Sequence, residues 1–336
     1  MTETQHMVNM RAYLARKTVY VFITFIIIIS FNFFLFRIMP GDPTSVLVPK
    51  TGNEELKEAI REAFGLNKPL WEQYFLYIKQ VFTLDWGIST GLRKYADVTD
   101  VMAPALMNTI ILLGTGTVLA IILGINVGKF AAWRRGTYAD AASMSISLTF
   151  YSMPTFLFAL FMLMIFAGYL KWFPIKGSEG WLPFLGQSDI DTMGEKILSR
   201  LYHLVLPLIV FTLEIMAEFA IIMRNSLTDV LTEDYIVTAR AKGLSNKQIL
   251  DNHAMRNAML PVVTVMAIGI AWVLGGTIMV EMVFSYDGLG LMTWDAVVNQ
   301  DYALLQALFL LFAVAVLIAN AISDVIYFYL DPRVEM

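Results

Sequence analysis

Few residues in this chain are placed to make or break bonds. Cysteine is absent, and the three histidines, His6, His203 and His253, are too scattered to share a metal. Thiolate chemistry, disulfides and a zinc-type site are therefore excluded. Gly124 to Lys129 has the outline of a phosphate loop, but its spacing is one residue short and no Ser or Thr follows Lys129. It also closes an apolar run, so it is not a nucleotide site. Two acids, Glu214 and Glu218, stand one helical turn apart inside another apolar run. A carboxylate pair so placed faces a bundle interior or water, as a path lining, an ion site or a partner for another subunit. Ser152 and Thr155 flank Pro154, where hydroxyls either line a path or repair backbone bonds freed by the proline. The spans hold no convincing nucleophile and base or paired catalytic Asp residues, so an intramembrane hydrolase is not supported.

The remaining cluster is basic. Asp234 to Pro261, DYIVTARAKGLSNKQILDNHAMRNAMLP, is a helix-forming island that carries Arg240, Lys242, Lys247 and Arg256 between two long apolar runs. Tyr235 to Lys242 reads as a short helix, and Gly243 can take the left-handed conformation that ends one. Ser245 and Gln248 have the spacing of a capping box, which opens a second helix. Pro261 opens the next apolar run, where its missing N–H is harmless. Such a helix–turn–helix is built to dock, not to catalyse.

The elements around these residues are those of a membrane protein. The chain has 336 residues, 57% of them hydrophobic and 15% charged, and a mean hydropathy of +0.63. Its net charge of −4 is segregated along the chain and argues against nucleic-acid binding. Residues 1–17 form a polar, basic N-terminus, and 18–38 form an uncleaved first span. Residues 39–104 are an extracytoplasmic segment that opens on Pro40-Gly41-Asp42-Pro43. It contains a short amphipathic helix over 54–63 and interfacial aromatics such as Trp71 and Trp86. A five-helix core occupies 105–330, with spans near 105–127, 139–170 (kinked at Pro154), 204–223, 262–283 and 302–329. Its cytoplasmic loop is 224–261, and 331–336 is the C-terminus. Gly124 and Gly128 offer a close helix approach. Asn320 and Asp324 are one turn apart in the last span, where helix-packing hydrogen bonds or transport chemistry could use them. With both termini inside, the short inner segments carry 12 of the 24 Lys and Arg, and the outer loop 284–301 carries none. The expected fold is an all-α membrane protein of six transmembrane helices, with a cytoplasmic coupling helix pair between spans four and five.

The island resembles the cytoplasmic coupling loop of ABC-transporter import permeases of the dipeptide/oligopeptide (peptide/nickel) branch. TARAKGL followed by HAMRNAMLP is similar to that branch almost residue for residue, with Val237-Thr238-Ala239 where the general family motif has Glu-Ala-Ala. FGLNKPLWEQY, GGTIMVEMVFSYDGLG and the closing Leu330-Asp331-Pro332-Arg333 are similar as well, so the resemblance runs from about residue 18 to 333. It implies a permease subunit of an ATP-driven importer, located in the plasma or inner membrane. Its partners would be a second, similar permease, two ATP-binding subunits and an extracytoplasmic solute-binding protein. ATP and Mg would be held by the partners and no cofactor by this chain. It implies ATPase-coupling positions at Ala239, Arg240, Ala241, Lys242, Gly243, Leu244, His253, Arg256, Asn257 and Pro261. The cargo would be di- or oligopeptides, with oligosaccharides or nickel chelates as alternatives. An ion-coupled secondary transporter using Glu214, Glu218 or Asp324 is the rival class.

Overall fold

The computed structural model describes residues 3–38, 62, 67–93, 95–180, 182, 192–273 and 278–330. The expected helix at 54–63, the turn at 40–43, Gly275, Gly276 and the Asp331–Arg333 ending lie outside the described residues, as does the side chain of Asp324. Two compact units divide the chain, Met1–Met107 with Leu291–Ala321 and Asn108–Gly290 with Ile322–Met336.

In the first unit, α1 (Glu3–Ile38) carries the apolar run of the first span, and its helix extends back through the basic N-terminus. Helix α2 (Leu70–Thr83) starts at Pro69 and ends at Leu84, a left-handed residue at φ 57°. Ile29, Phe33, Tyr77, Val81 and Leu310 form the core. At its centre the buried amide of Asn32 donates to the Tyr77 hydroxyl at 2.8 Å and to the Gln306 carbonyl at 3.0 Å. Helix α2 carries apolar residues on both faces: Tyr77 and Val81 are buried with Gln73, while Trp71, Phe75 and Phe82 are exposed. Aromatics on the outward face suit a helix lying in a bilayer surface. The same unit carries a carboxylate nest. Asp301 accepts the Ser89 hydroxyl at 2.5 Å and the backbone N–H groups of Thr90, Gly91 and Leu92 at 3.2, 3.1 and 3.0 Å. It also caps the helix that begins at Tyr302 by accepting from Leu304 N at 3.2 Å.

The second unit is arranged along α6. In chain order, α3 (Val98–Trp133) enters it and α4 (Tyr138–Ser152) follows. Helix α5 (Thr155–Met162) comes next and runs into a π turn, Leu163–Tyr169. Helix α6 (Met193–Val230) opens with a capping box between Thr192 and Glu195. Helices α7 (Asp234–Ala241) and α8 (Asn246–Gln248), a π turn over Ile249–Ala254, and α9 (Met255–Val273) complete the island and its exit. Helix α10 (Ile278–Phe284) follows, and α11 (Leu289–Val298) and α12 (Tyr302–Leu330) lie mostly in the first unit. Glycines let α3 press on α6. A Cβ at Gly124 would sit 2.5 Å from the Phe219 Cβ, and one at Gly128 2.5 Å from the Ala220 carbonyl oxygen.

Several expectations change. The third span is not one kinked helix: α4 and the helix Thr155–Tyr169 meet at 104°. Pro154 explains the break, because it lacks an N–H and disfavours helix in the residue before it, and Met153 is extended at ψ 128°. The described residues hold four helices long and apolar enough to cross a membrane, or five with the bent pair counted as one. The expected fifth span is represented by α9 and α10, on either side of 274–277. The stretch 284–301, expected as an outer loop, contains the apolar helix α11, and α6 begins eleven residues ahead of the expected fourth span. Pro261 lies inside α9 and does not start it. The island runs into the next span without a break, so the proline removes a bond within a continuous helix. The Ser226 hydroxyl donates to the nearby Ala258 carbonyl at 2.9 Å.

Candidate functional site

The island folds as its residues direct. Helix α7 ends in a Schellman motif: Gly243 N donates to the Arg240 carbonyl at 2.9 Å and Leu244 N to the Ala239 carbonyl at 3.4 Å. Gly243 holds φ +77°, which an L side chain rarely adopts. Both halves of the Ser245–Gln248 capping box are made, with Gln248 Oε1 accepting from Ser245 N at 2.9 Å and Ser245 Oγ from Gln248 N at 3.3 Å. The π turn then puts Ile249, Leu250 and Ala254 inward and leaves Asp251, Asn252 and His253 on the surface.

Beneath it lies a continuous core. Ile236, Ala239, Ile249, Ala254 and Ala258 pack with Met223 and Leu227 of α6 and Ala132 of α3. The island is thus bonded to the spans by burial rather than hung from them as a loop. Two ion pairs add fixed points. Lys129 Nζ meets Asp251 Oδ1 at 2.6 Å, joining the end of α3 to the π turn. Arg224, ten residues before α7, grips Asp140 with Nη2 at 2.9 Å and Nε at 3.2 Å. The Lys129 ammonium holds the Asp251 carboxyl below its ordinary range, first by its hydrogen bond and also by its charge, which together outweigh the opposing effect of burial. On α7 and α9, Asn257 donates to the Tyr235 hydroxyl at 2.8 Å.

The expected coupling residues divide by this geometry. Arg240, Ala241, Lys242, Gly243, His253, Arg256, Asn257 and Pro261 are exposed. Leu244 is half-buried and packs against the core. Ala239 is 5% exposed and belongs to the core, beneath the exposed residues and not among them.

Among the expected path residues, Thr155 and Glu214 come together, the hydroxyl donating to Glu214 Oε1 at 2.5 Å. Glu218 is half-buried on the same helix and Ser152 is exposed at the end of α4. Of Ser152 and Thr155, the expected residues on either side of Pro154, it is Thr155 that bonds to α6. Thr149 donates back to the Ser145 carbonyl at 2.8 Å, the local helix bond expected of a hydroxyl near a break.

Glu281, in the GGTIMVEMVFSYDGLG stretch, has a task that sequence reasoning missed. It is fully buried and accepts from the Thr109 hydroxyl at 2.8 Å and from Gly290 N at 2.6 Å. A Cβ at Gly288 would lie 2.3 Å from its carboxyl, so that glycine is required by the close approach. The turn after α10 is fixed further by Ser178, whose hydroxyl donates to Asp287 at 2.7 Å. Burial, and then the negative charge of Glu281, push the Tyr286 hydroxyl up to about 12. Asp140, Asp251 and Asp301 were missed. Each reads as an ordinary polar residue until its partner, 84 to 212 positions away, is known; the one available signal was an acid at a helix start or beside an apolar run.

Comparison with known proteins places this geometry. A family described as binding-protein-dependent transport system inner membrane component matches residues 116–336, and its N-terminal counterpart matches residues 10–107. Glutathione transport system permease protein GsiC of Shigella flexneri serotype 5b (strain 8401) is 34% identical over 309 residues, covering 92% of this chain and 94% of that protein. Oligopeptide transport system permease protein AppB of Bacillus subtilis (strain 168) is 32% identical over 328 residues, covering 97% of this chain and all of that protein. Among solved structures, an inward-facing MetNI methionine ABC transporter chain superposes with a TM-score of 0.53 at 16% identity, over 69% of this chain and 96% of the other. That last likeness concerns the fold.

Proposed function

This chain belongs to the family of binding-protein-dependent transport system inner membrane components, and we propose that it imports di- or oligopeptides by passing force from partner ATPases through the 234–261 island. It is a permease subunit of an ABC importer, a multi-pass membrane protein of a family that works with ATP-binding subunits and a binding protein. In this reading a second, similar permease completes the path, and two ATPases each receive one such island on the cytoplasmic side. The six crossings are then α1, α3, the bent pair α4–α5, α6, α9 with α10, and α12, with both termini inside. ATP and Mg act on the ATPases; this chain contributes the relay.

The observation that carries the reading is the join between island and spans. Ile236, Ile249 and Ala254 are fully buried against Met223 and Leu227 of α6, while Arg240, Lys242 and Gly243 remain outside. A push on the exposed rim therefore reaches α6 and α9 through packed side chains, which move as a body rather than deform. The names of the relatives support the peptide cargo, since glutathione and oligopeptides are both short peptides. Thr155 and Glu214 are the residues proposed to border the path.

Gly243 provides the test. A Cβ there meets nothing within 4 Å, so Gly243→Ala and Gly243→Trp share the same left-handed strain of about 1 kcal/mol. They differ only in what they project outward. In reconstituted vesicles with ATP inside, Gly243→Ala should keep most labelled-peptide uptake, whereas Gly243→Trp should lose it together with ATPase binding. Full uptake by the Trp variant, or uptake driven by an ion gradient with no ATPase present, rejects the relay.

A further inference from the structure

A cavity of about 370 Å³ opens beside the island, lined by Trp133 and Arg135 at the end of α3, Thr228 and Thr232 near the end of α6, and Arg240 and Asn246. No acidic side chain lines it. The two threonine hydroxyls donate to their own helix, to the Arg224 and Asp229 carbonyls at 2.6 Å each. The outward donors are therefore the guanidinium groups of Arg135 and Arg240 and the Asn246 amide. Neither arginine makes an ion pair among the described residues. Two cations from separate elements converge on one concave space, a geometry that receives a phosphate or carboxylate.

The surroundings identify which anion. Leu119, Ile122, Leu123, Phe130 and Trp133 are exposed on one face of α3, opposite the glycines that press on α6. Their helical spacing makes an apolar track, interrupted by the exposed Asn126, whose amide turns back onto the Ile122 carbonyl at 2.7 Å, and the track ends at Trp133 in the cavity wall. Trp133 closes a helix long enough to cross a membrane, and Tyr138, 96% exposed, follows it. Tryptophan and tyrosine at the end of a span mark the headgroup level. We infer that this cavity holds the phosphodiester of an anionic phospholipid, with the acyl chains lying along the α3 track. An acidic side chain of a soluble partner would satisfy the arginines but would leave the track uncovered.

The test uses the full chain in the complex with which it purifies, in nanodiscs of phosphatidylcholine doped with phosphatidylglycerol, and reads the lipid retained by native mass spectrometry. The wild type should keep phosphatidylglycerol over phosphatidylcholine. Arg135→Ala with Arg240→Ala should cut that preference about thirtyfold, the ratio expected for two surface arginines. Arg134→Ala is the control, because its guanidinium stacks on Phe130 at 4.2 Å and does not line the cavity; it should leave the preference intact. Equal loss with Arg134→Ala would mean general surface charge and overturn the site. Displacement by millimolar inorganic phosphate would make it a small-anion site and overturn it too. So would a double variant that loses ATPase binding while its lipid retention is unaltered. None of these readouts depends on peptide uptake, so the inference and the proposed transport activity can fail separately.

Discussion

The guanidinium of Arg224 holds the carboxylate of Asp140 in a fork, Nη2 to Oδ2 at 2.9 Å and Nε to Oδ1 at 3.2 Å. Asp140 is buried and also accepts from Gly136 N at 3.0 Å, so the fork fixes both the turn before α4 and the last third of α6. Removing Asp140 takes away a buried carboxylate and leaves the part-exposed Arg224 without its partner. Asp140→Ala should cost roughly 2 kcal/mol and lower the melting temperature of the detergent-solubilised protein. Arg224→Lys should recover only part of that, because an ammonium cannot supply two parallel donors. Equal melting for wild type and Arg224→Lys would show that the fork is not needed.

Lys129 and Asp251 connect α3 to the π turn across a solvent-exposed gap. Reversing either charge alone should weaken ATP-driven uptake more than folding, since the pair adds position rather than stability. Reversing both together, Lys129→Asp with Asp251→Lys, should restore most of the uptake. The defect of the single variants should shrink as salt is raised. A double variant as impaired as the singles would remove this pair from the relay.

Asp301 makes acid sensitivity predictable. Burial pushes its carboxyl up, but the Ser89 hydroxyl and the N–H groups of Leu92, Thr90 and Gly91 outweigh that and hold it below the usual range. A depressed folded pKa contributes stability that is complete above the unfolded value of about 4 and is lost as pH falls through the folded value. Asp301→Asn should therefore cost about 2 kcal/mol near neutrality. The gap to wild type should stay level from pH 8 to about 5 and close below about 4. Melting curves across pH check this; a gap that widens in acid would reverse the sign and refute it.

Gly128 has room for no side chain, since a Cβ would lie 2.5 Å from the Ala220 carbonyl and 2.7 Å from the Met223 Cβ. Gly128→Val should force α3 and α6 apart and cost more than about 2 kcal/mol. Gly114→Ala, on the same helix with nothing within 4 Å, should be neutral or slightly stabilising. Comparing yield and melting temperature of the two variants separates close packing from helix propensity.

Local chemistry was the part of this architecture legible from residue order. The Gly243 break, the Ser245–Gln248 box and the Gly124–Gly128 approach each depend on side chains within a few positions, and each is present. What was not legible depended on distance along the chain. Asp140 finds Arg224 84 positions away, and Glu281 finds Thr109 172 positions away. Ala239 illustrates the same limit from the other side: its place in the motif was readable, but whether it faced a partner or the core depended on the register of α7 against α6. Pro154 was read as a kink because one proline usually bends a helix without ending it. The extended Met153 before it turned the bend into a corner.

That corner has a mechanical consequence. Helix α4 runs antiparallel to α6 and is pegged to it near both extremities, by Asp140 on Arg224 and, just past the corner, by Thr155 on Glu214. The two pegs are about 15 Å apart along α6 at ~1.5 Å per residue. A strut fastened twice cannot slide along its neighbour; it can only travel with it. Past the corner α5 is held as well, since Phe158 and Ala159 lie in one core with Leu204, Leu206 and Val210 of α6, so the corner locks two directions of helix onto a single beam and any displacement of α6 carries both arms with it.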